Sequence, residues 1–228
     1  MKKTMLTLIA LLVMAVQFAG AQNYEVEYEV KFNSSDMEKM ITGGQQLPPE
    51  IMASLRQDIQ NAQIFVKVNM SKDKEDVQLL SDKCYFTINL MGNITDMKPM
   101  IEMMGLSTYT DYAKQESYTK LNIQGTKYLV KSEMEPQGEF EVTKKTKKIL
   151  GHECVRMKTK GGKIWYATDL PFETMAYKGV PGVILAMEIN GTYMTAVSVT
   201  PNDKEISLPT DAKIVTREEM EKIMMQMQ

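Results

Sequence analysis

Residues 24–32 alternate without a break: Tyr24, Val26, Tyr28, Val30 and Phe32 fall on one side of an extended chain, and Glu25, Glu27, Glu29 and Lys31 on the other. A period of two with one apolar and one charged face predicts an antiparallel strand with one wet surface. Residues 34–47 show no clean period and contain Gly43-Gly44, which predicts a loop. Pro48-Pro49 then opens a helix in which Ile51, Leu55 and Ile59 recur at four-residue spacing, proline being tolerated in a first helical turn.

Three strand-like runs follow at 63–69, 76–81 and 84–90, separated by polar turn residues, and their spacing predicts a meander. The stretch 93–105 holds Met97, Met100, Met103 and Met104 around Pro99, and fits a short helix or apolar loop better than a strand. Shorter strands are expected at 107–112, 117–123 and 127–132. In the last third, 163–167 reads as a strand ended by Asp169-Leu170-Pro171, and 183–189 as an almost continuous apolar run suited to packing on both faces. Asn190-Gly191 supplies the two positive-φ residues of a type I′ hairpin leading into 192–200. Thr216-Arg217-Glu218-Glu219 has the form of a capping box, with Met220, Ile223, Met224 and Met227 at i, i+3, i+4 and i+7, so an amphipathic C-terminal helix should dock on the sheet. The expected fold is mainly β (α+β): a curved antiparallel sheet or open half-barrel with a few short helices packed on it.

The N-terminus changes how the rest is read. Lys2 and Lys3, the apolar stretch 5–18 and the small-x-small pattern Ala19-Gly20-Ala21 predict a secretory signal over residues 1–21. The expected product is exported, most simply to the periplasm, with a secreted or envelope-associated destination as the alternative. It is not an integral membrane protein, because the apolar stretch is shorter than the ~20 residues a spanning helix needs. Residues 22–228 then form a single β-rich domain of roughly 200 residues, a size common for one all-β unit. Loss of Lys2 and Lys3 takes two from 27 basic residues set against 29 acidic ones. That acidic balance, with one short basic run at Lys144-Lys145 and Lys147-Lys148, implies no nucleic-acid partner. Oligomeric state is not legible.

In an oxidising compartment the two cysteines, Cys84 and Cys154, are candidates for a disulfide, which would stabilise the fold by roughly 4 kcal/mol in the chain-entropy model. The single histidine, His152, shares a strand face with Cys154, yet neither a metal set nor a Cys/His nucleophile pair is complete around it. Asp169 and Glu173 flank a strand end as the best-placed acids, with nothing to mark either as desolvated. No catalytic residue, metal ligand or cofactor is implied.

The segment from Lys147 to Ile189 carries Lys148-Ile149-Leu150-Gly151-His152-Glu153-Cys154, then Ile164-Trp165-Tyr166, Leu170-Pro171 and Gly179-Val180-Pro181-Gly182-Val183-Ile184. Together these resemble the exported bacterial family named for a Gly-Leu-Pro-Gly-Leu-Ile motif (GLPGLI), and a related exported domain of unknown function. Val180 and Val183 stand where the family name has leucine, and His152 where the family has an aromatic residue. The resemblance implies an exported β-rich protein, with an open half-barrel like that of periplasmic lipoprotein carriers by analogy, and it assigns no catalytic residue. Physically, Gly179, Val180, Pro181, Gly182, Val183 and Ile184 make a rigid turn into a buried strand: proline fixes φ and the glycines permit φ > 0.

Methionine is the compositional anomaly, at 21 residues. Met97, Met100, Met103, Met104, Met220, Met224 and Met227 are expected to line an apolar groove that adapts to a lipid or other apolar ligand. The alternatives are plain core packing, or Cu(I) held by convergent thioethers in an envelope stress protein. Function is read as non-enzymatic binding of an apolar or amphipathic ligand, with a structural or partner-docking envelope role as a further alternative.

Overall fold

A computed structural model describes residues 23–90, 92–134 and 139–226 of the chain. The expected signal segment and Met227 lie outside these residues.

Among the described residues, fourteen strands and four short helices follow the alternations above. The chain runs β1 (Asn23–Phe32), α1 (Ser34–Thr42), α2 (Pro49–Asn61), β2 (Ile64–Met70), β3 (Lys74–Leu79), β4 (Thr87–Leu90), β5 (Asn93–Asp96) and α3 (Lys98–Met103). It continues through β6 (Thr108–Asp111), β7 (Glu116–Ile123), β8 (Thr126–Ser132), β9 (Glu141–Ile149), β10 (His152–Thr159) and β11 (Gly162–Pro171). A single 3-10 turn, Met175–Tyr177, precedes β12 (Gly182–Ile189), β13 (Thr192–Asn202), β14 (Lys213–Val215) and α4 (Arg217–Met225). Twelve strands make one sheet in the order β14-β8-β7-β6-β3-β2-β1-β13-β12-β11-β10-β9, antiparallel throughout except where β14 lies parallel to β8. β4 and β5 form a separate hairpin. The fold is therefore mainly β with helices packed on a large mixed sheet.

β1 is the seam. It pairs with β2 on one side and β13 on the other, aligning Tyr24 with Met70, Val26 with Val68, and Tyr28 with both Val66 and Ala196. Because strand side chains alternate, this register puts Tyr24, Val26, Tyr28 and Val30 on one face with Ile64, Val66, Val68 and Met70. All eight are buried. The same cluster takes up Met37 of α1, Leu55 and Ile59 of α2, Phe86, Ile88 of β4, and Ile101 of α3, so the helices cover the apolar face. The opposite face carries ion pairs instead, Glu27 with Lys83 at 2.7 Å and Glu25 with Lys67 at 3.8 Å. The Tyr28 hydroxyl reaches over β13 to donate to the Ile184 carbonyl oxygen of β12 at 2.6 Å, which requires the sheet to bend toward this face.

Several expectations hold residue by residue. Asn190 and Gly191 adopt φ of 50° and 80°, the geometry of the type I′ hairpin between β12 and β13. Thr216 and Glu219 form a reciprocal capping box, and α4 buries Met220 against Tyr128 and Val130 of β8. The lysine run falls on β9, an edge strand with most of its side chains exposed, where lysines discourage pairing with a second sheet.

Three expectations are corrected. Residues 34–42 are helical rather than loop: the Asn33 side chain accepts the Ser35 N–H, Met37 anchors the helix in the core, and Gly43 ends it in the left-handed region. The expected meander stops after β3, because 84–90 shortens to β4 and turns through Gly92 (φ 87°) to pair with β5. Thus 93–96 is strand, and only Lys98–Met103 is helix. Finally, Cys84 and Cys154 are free thiols rather than a disulfide. Cys84 sits beside Phe65 of β2 and Cys154 lies on β10, with β1, β13, β12 and β11 between those strands in the sheet.

The turn into β12 shows why glycine is needed at two places for two reasons. Gly179 has φ of 85° and nothing near its missing Cβ, so its requirement is conformational. A Cβ on Gly182 would stand 2.1 Å from the Ala167 carbonyl oxygen of β11, so its requirement is close approach of two backbones. Gly182→Ala should therefore cost roughly 2–4 kcal/mol and Gly179→Ala about 1 kcal/mol in urea denaturation. Equal losses would mean that the close approach at Gly182 is relieved at little cost.

Candidate functional site

The bend of the sheet forms a partly open cavity of about 250 Å³. Six strands adjacent in the sheet line it: β6 with Thr108, β3 with Val77, β2 with Val66 and Val68, β1 with Tyr28 and Val30, β13 with Met194, and β12 with Ile184 and Met187. Leu106 closes one side, and the segment after β11 folds back to add Phe172 and Tyr177. Alternation explains why the lining is apolar, since these are the inward positions of each strand.

Thr108, Thr174 and Thr192 interrupt the apolar lining, and one ionisable carboxyl, that of Glu75, does so more sharply. Register aligns Glu75 with Met70 of β2, which puts its side chain on the cavity face in line with Val77 and Leu79. Its neighbour Asp76 points outward and pairs with Lys120 at 2.5 Å. The Glu75 carboxyl lines the cavity, and among the described residues no side chain pairs with it or donates to it. Burial pushes its pKa up to about 7, with the Asp76 charge adding to the shift. Around it the phenols of Tyr177, Tyr28 and Tyr112 are all raised, by burial first and then by the Glu75 charge. Glu75 and three tyrosines are therefore close enough to feel one another. Farther along the same face, Thr110 bonds Ser117 at 3.2 Å and Thr119 bonds Ser132 at 3.1 Å, a hydroxyl-lined wall beside the apolar one.

The sequence-predicted residues are distributed differently. Of the seven methionines, Met103 and Met224 come together, on a groove of about 400 Å³ shared with Pro99, Leu121 and Ile123. Met97 is buried in the main core, with Met100 and Met104 packed against it, and Met220 is buried under α4. The described methionines thus serve mostly as core, and the groove expected from the whole set narrows to two of them. His152 Nδ1 lies 2.9 Å from Asp169 Oδ2. Cys154 is fully buried, and burial pushes its thiol pKa up, the reverse of what activates a nucleophile. Glu173 is exposed. Among the described residues no three His, Cys, Asp or Glu side chains converge as a metal site.

Sequence reasoning misses Glu75 because it starts the strand at Asp76. The available signal is Glu75, Val77 and Leu79 sharing one parity, an acid at the head of an inward-facing row.

No protein-family model and no curated protein matches the chain. Solved structures do. Two structures of PNGF-II superpose with TM-scores of 0.48 and 0.46 at 16% identity, each covering 90% of this chain. This chain spans 34% and 32% of those two chains, about a third of their length. An uncharacterized conserved protein from Thermus thermophilus gives a TM-score of 0.43 at 11% identity, covering 92% of this chain and 99% of that one.

The raised pKa of Glu75 links it to stability. A carboxyl at about 7 when folded, against 4.5 when exposed, binds its proton more tightly in the folded state. Its contribution is fully present below the unfolded value and is lost as pH rises through about 7, by on the order of 3 kcal/mol at most. Urea denaturation at about pH 5 and about pH 8 should show a fall in stability that Glu75→Gln largely removes. The same fall in both proteins would place the Glu75 carboxyl in water.

Proposed function

We propose that this chain is an exported, non-enzymatic protein that binds an apolar or amphipathic ligand in the cavity on the bent face of its sheet. The observation that carries the reading is the cavity wall itself: five neighbouring strands contribute apolar side chains to one space, interrupted by Glu75, the tyrosines and three threonines. Ligand pockets of this kind combine apolar walls with a few polar groups that fix orientation. The single histidine lies away from the cavity, on β10 against Asp169, so the lining offers no paired nucleophile and base.

The basic N-terminal pattern and the resemblance to the GLPGLI family support export within this proposal. Among the described residues no helix is long and apolar enough to cross a membrane. The Met103 and Met224 groove is a weaker candidate for the ligand, because Met103 is 62% exposed and the groove carries no unpaired charge of comparable burial.

Filling the cavity tests the reading. Leu106→Trp places a large ring where Leu106 now lines the space, and should weaken binding of an uncharged naphthyl dye by about tenfold or more. The far-UV β signal should be unchanged. Undiminished dye binding by a folded variant would move the ligand site elsewhere.

A further inference from the structure

The polar end of the cavity has a sign. Among its lining residues are Glu75, Tyr28 and Tyr177, and no lysine, arginine or histidine. The Tyr28 hydroxyl is committed to the Ile184 carbonyl, which leaves its ring as wall and its position fixed. We propose that the cavity selects an amphiphile with a cationic amine head, the ammonium pairing with Glu75 beside the tyrosine rings and the apolar tail lying along Val66, Val68 and Ile184. This rests on the ligand-binding reading above and specifies its chemistry.

Glu75 is half-buried in a mostly apolar wall; partial burial disfavours its charged form, and a cation brought against it offsets that cost. Aromatic faces add to the attraction for an ammonium. The opposite head group is disfavoured on the same ground: a carboxylate-headed fatty acid would enter a space whose one readily ionised group is already negative, with no counter-charge on the wall. A hydroxyl head could donate one hydrogen bond to Glu75 but would leave the charge uncompensated.

The groups that set the field around Glu75 are Asp76 on its own strand and the phenols of Tyr28 on β1, Tyr112 after β6, and Tyr177 on the 3-10 turn. Burial raises the pKa of all three phenols, so they stay neutral and offer ring faces rather than charge, while Asp76 is a carboxylate; none of these groups opposes a cation. Burial lifts the Glu75 carboxyl to about 7, so above that pH it is ionised and pairs directly with an ammonium, and below it an ammonium would draw its proton off.

The test uses the full chain and three probes of equal tail length, octylammonium, octanol and octanoate, competing against the uncharged naphthyl dye. At about pH 8 octylammonium should displace the dye at about tenfold or more lower concentration than octanol, with octanoate weakest. The amine preference should shrink at about pH 5.5, where Glu75 is protonated, and should be lost from the amine-to-alcohol ratio in Glu75→Gln. Equal displacement by amine and alcohol, or tightest displacement by octanoate, would overturn the amine inference while leaving an apolar site standing. If neither the dye nor any probe binds, the ligand-binding reading itself fails, and the head-group inference with it. The comparison of head groups in the unaltered protein stands even if Glu75→Gln does not fold.

Discussion

The two ladders of β1 hold this molecule together. On one side β2 leads outward through β3, β6, β7 and β8 to β14; on the other β13 leads through β12, β11 and β10 to β9. Among the described residues no other strand joins those halves. Its alternation of Tyr24, Val26, Tyr28 and Val30 against glutamates decides which face is core, because a register slip of one residue would send four buried side chains to water and their charged neighbours to the interior. The ladder with β13 shifts between Glu27 and Tyr28, and such bulges increase local twist. Just past that shift Tyr28 bonds across to β12, tying the bend of the sheet to the strand that defines its faces.

The cavity is a consequence of that bend. Inward side chains from β3 to β12 converge on one space, and helices α1 to α3 with the β4–β5 hairpin cover the remainder of the apolar face. Within such a wall Glu75 has a physical cost that valine at the same position would not. Outward carboxylates nearby pair with lysines, as Asp76 does with Lys120 and Glu27 with Lys83. Glu75 alone of this group turns inward, and among the residues lining the cavity there is no lysine, arginine or histidine beside it.

Local patterns with local causes were legible in the sequence. The period of β1, the Asn190-Gly191 turn and the Thr216 to Glu219 box each fix a few adjacent dihedrals, and each appears where expected. The loop expected at 34–47 is in part α1, because Gly43 caps a helix where Gly43-Gly44 alone reads as a break in structure. The parallel pairing of β14 with β8 joins Lys213–Val215 to a strand some eighty residues earlier, and no local period encodes that. Cysteine count suggests a bridge, but bridging depends on geometry that the count does not carry, and Cys84 and Cys154 are free thiols. The methionine clusters are visible as composition; which of them face a groove is decided by tertiary packing, so only Met103 and Met224 meet there. Glu75 is hidden by a shift of strand boundary, since β3 begins before Asp76.

The measurement that bears most directly on the inward carboxyl is a carbon NMR titration of the Glu75 side chain in the folded, ligand-free protein. A midpoint near 7 is expected, well above the 4.5 of an exposed glutamate. A midpoint at the exposed value would put the carboxyl in water and contradict the head-group selectivity built on its burial.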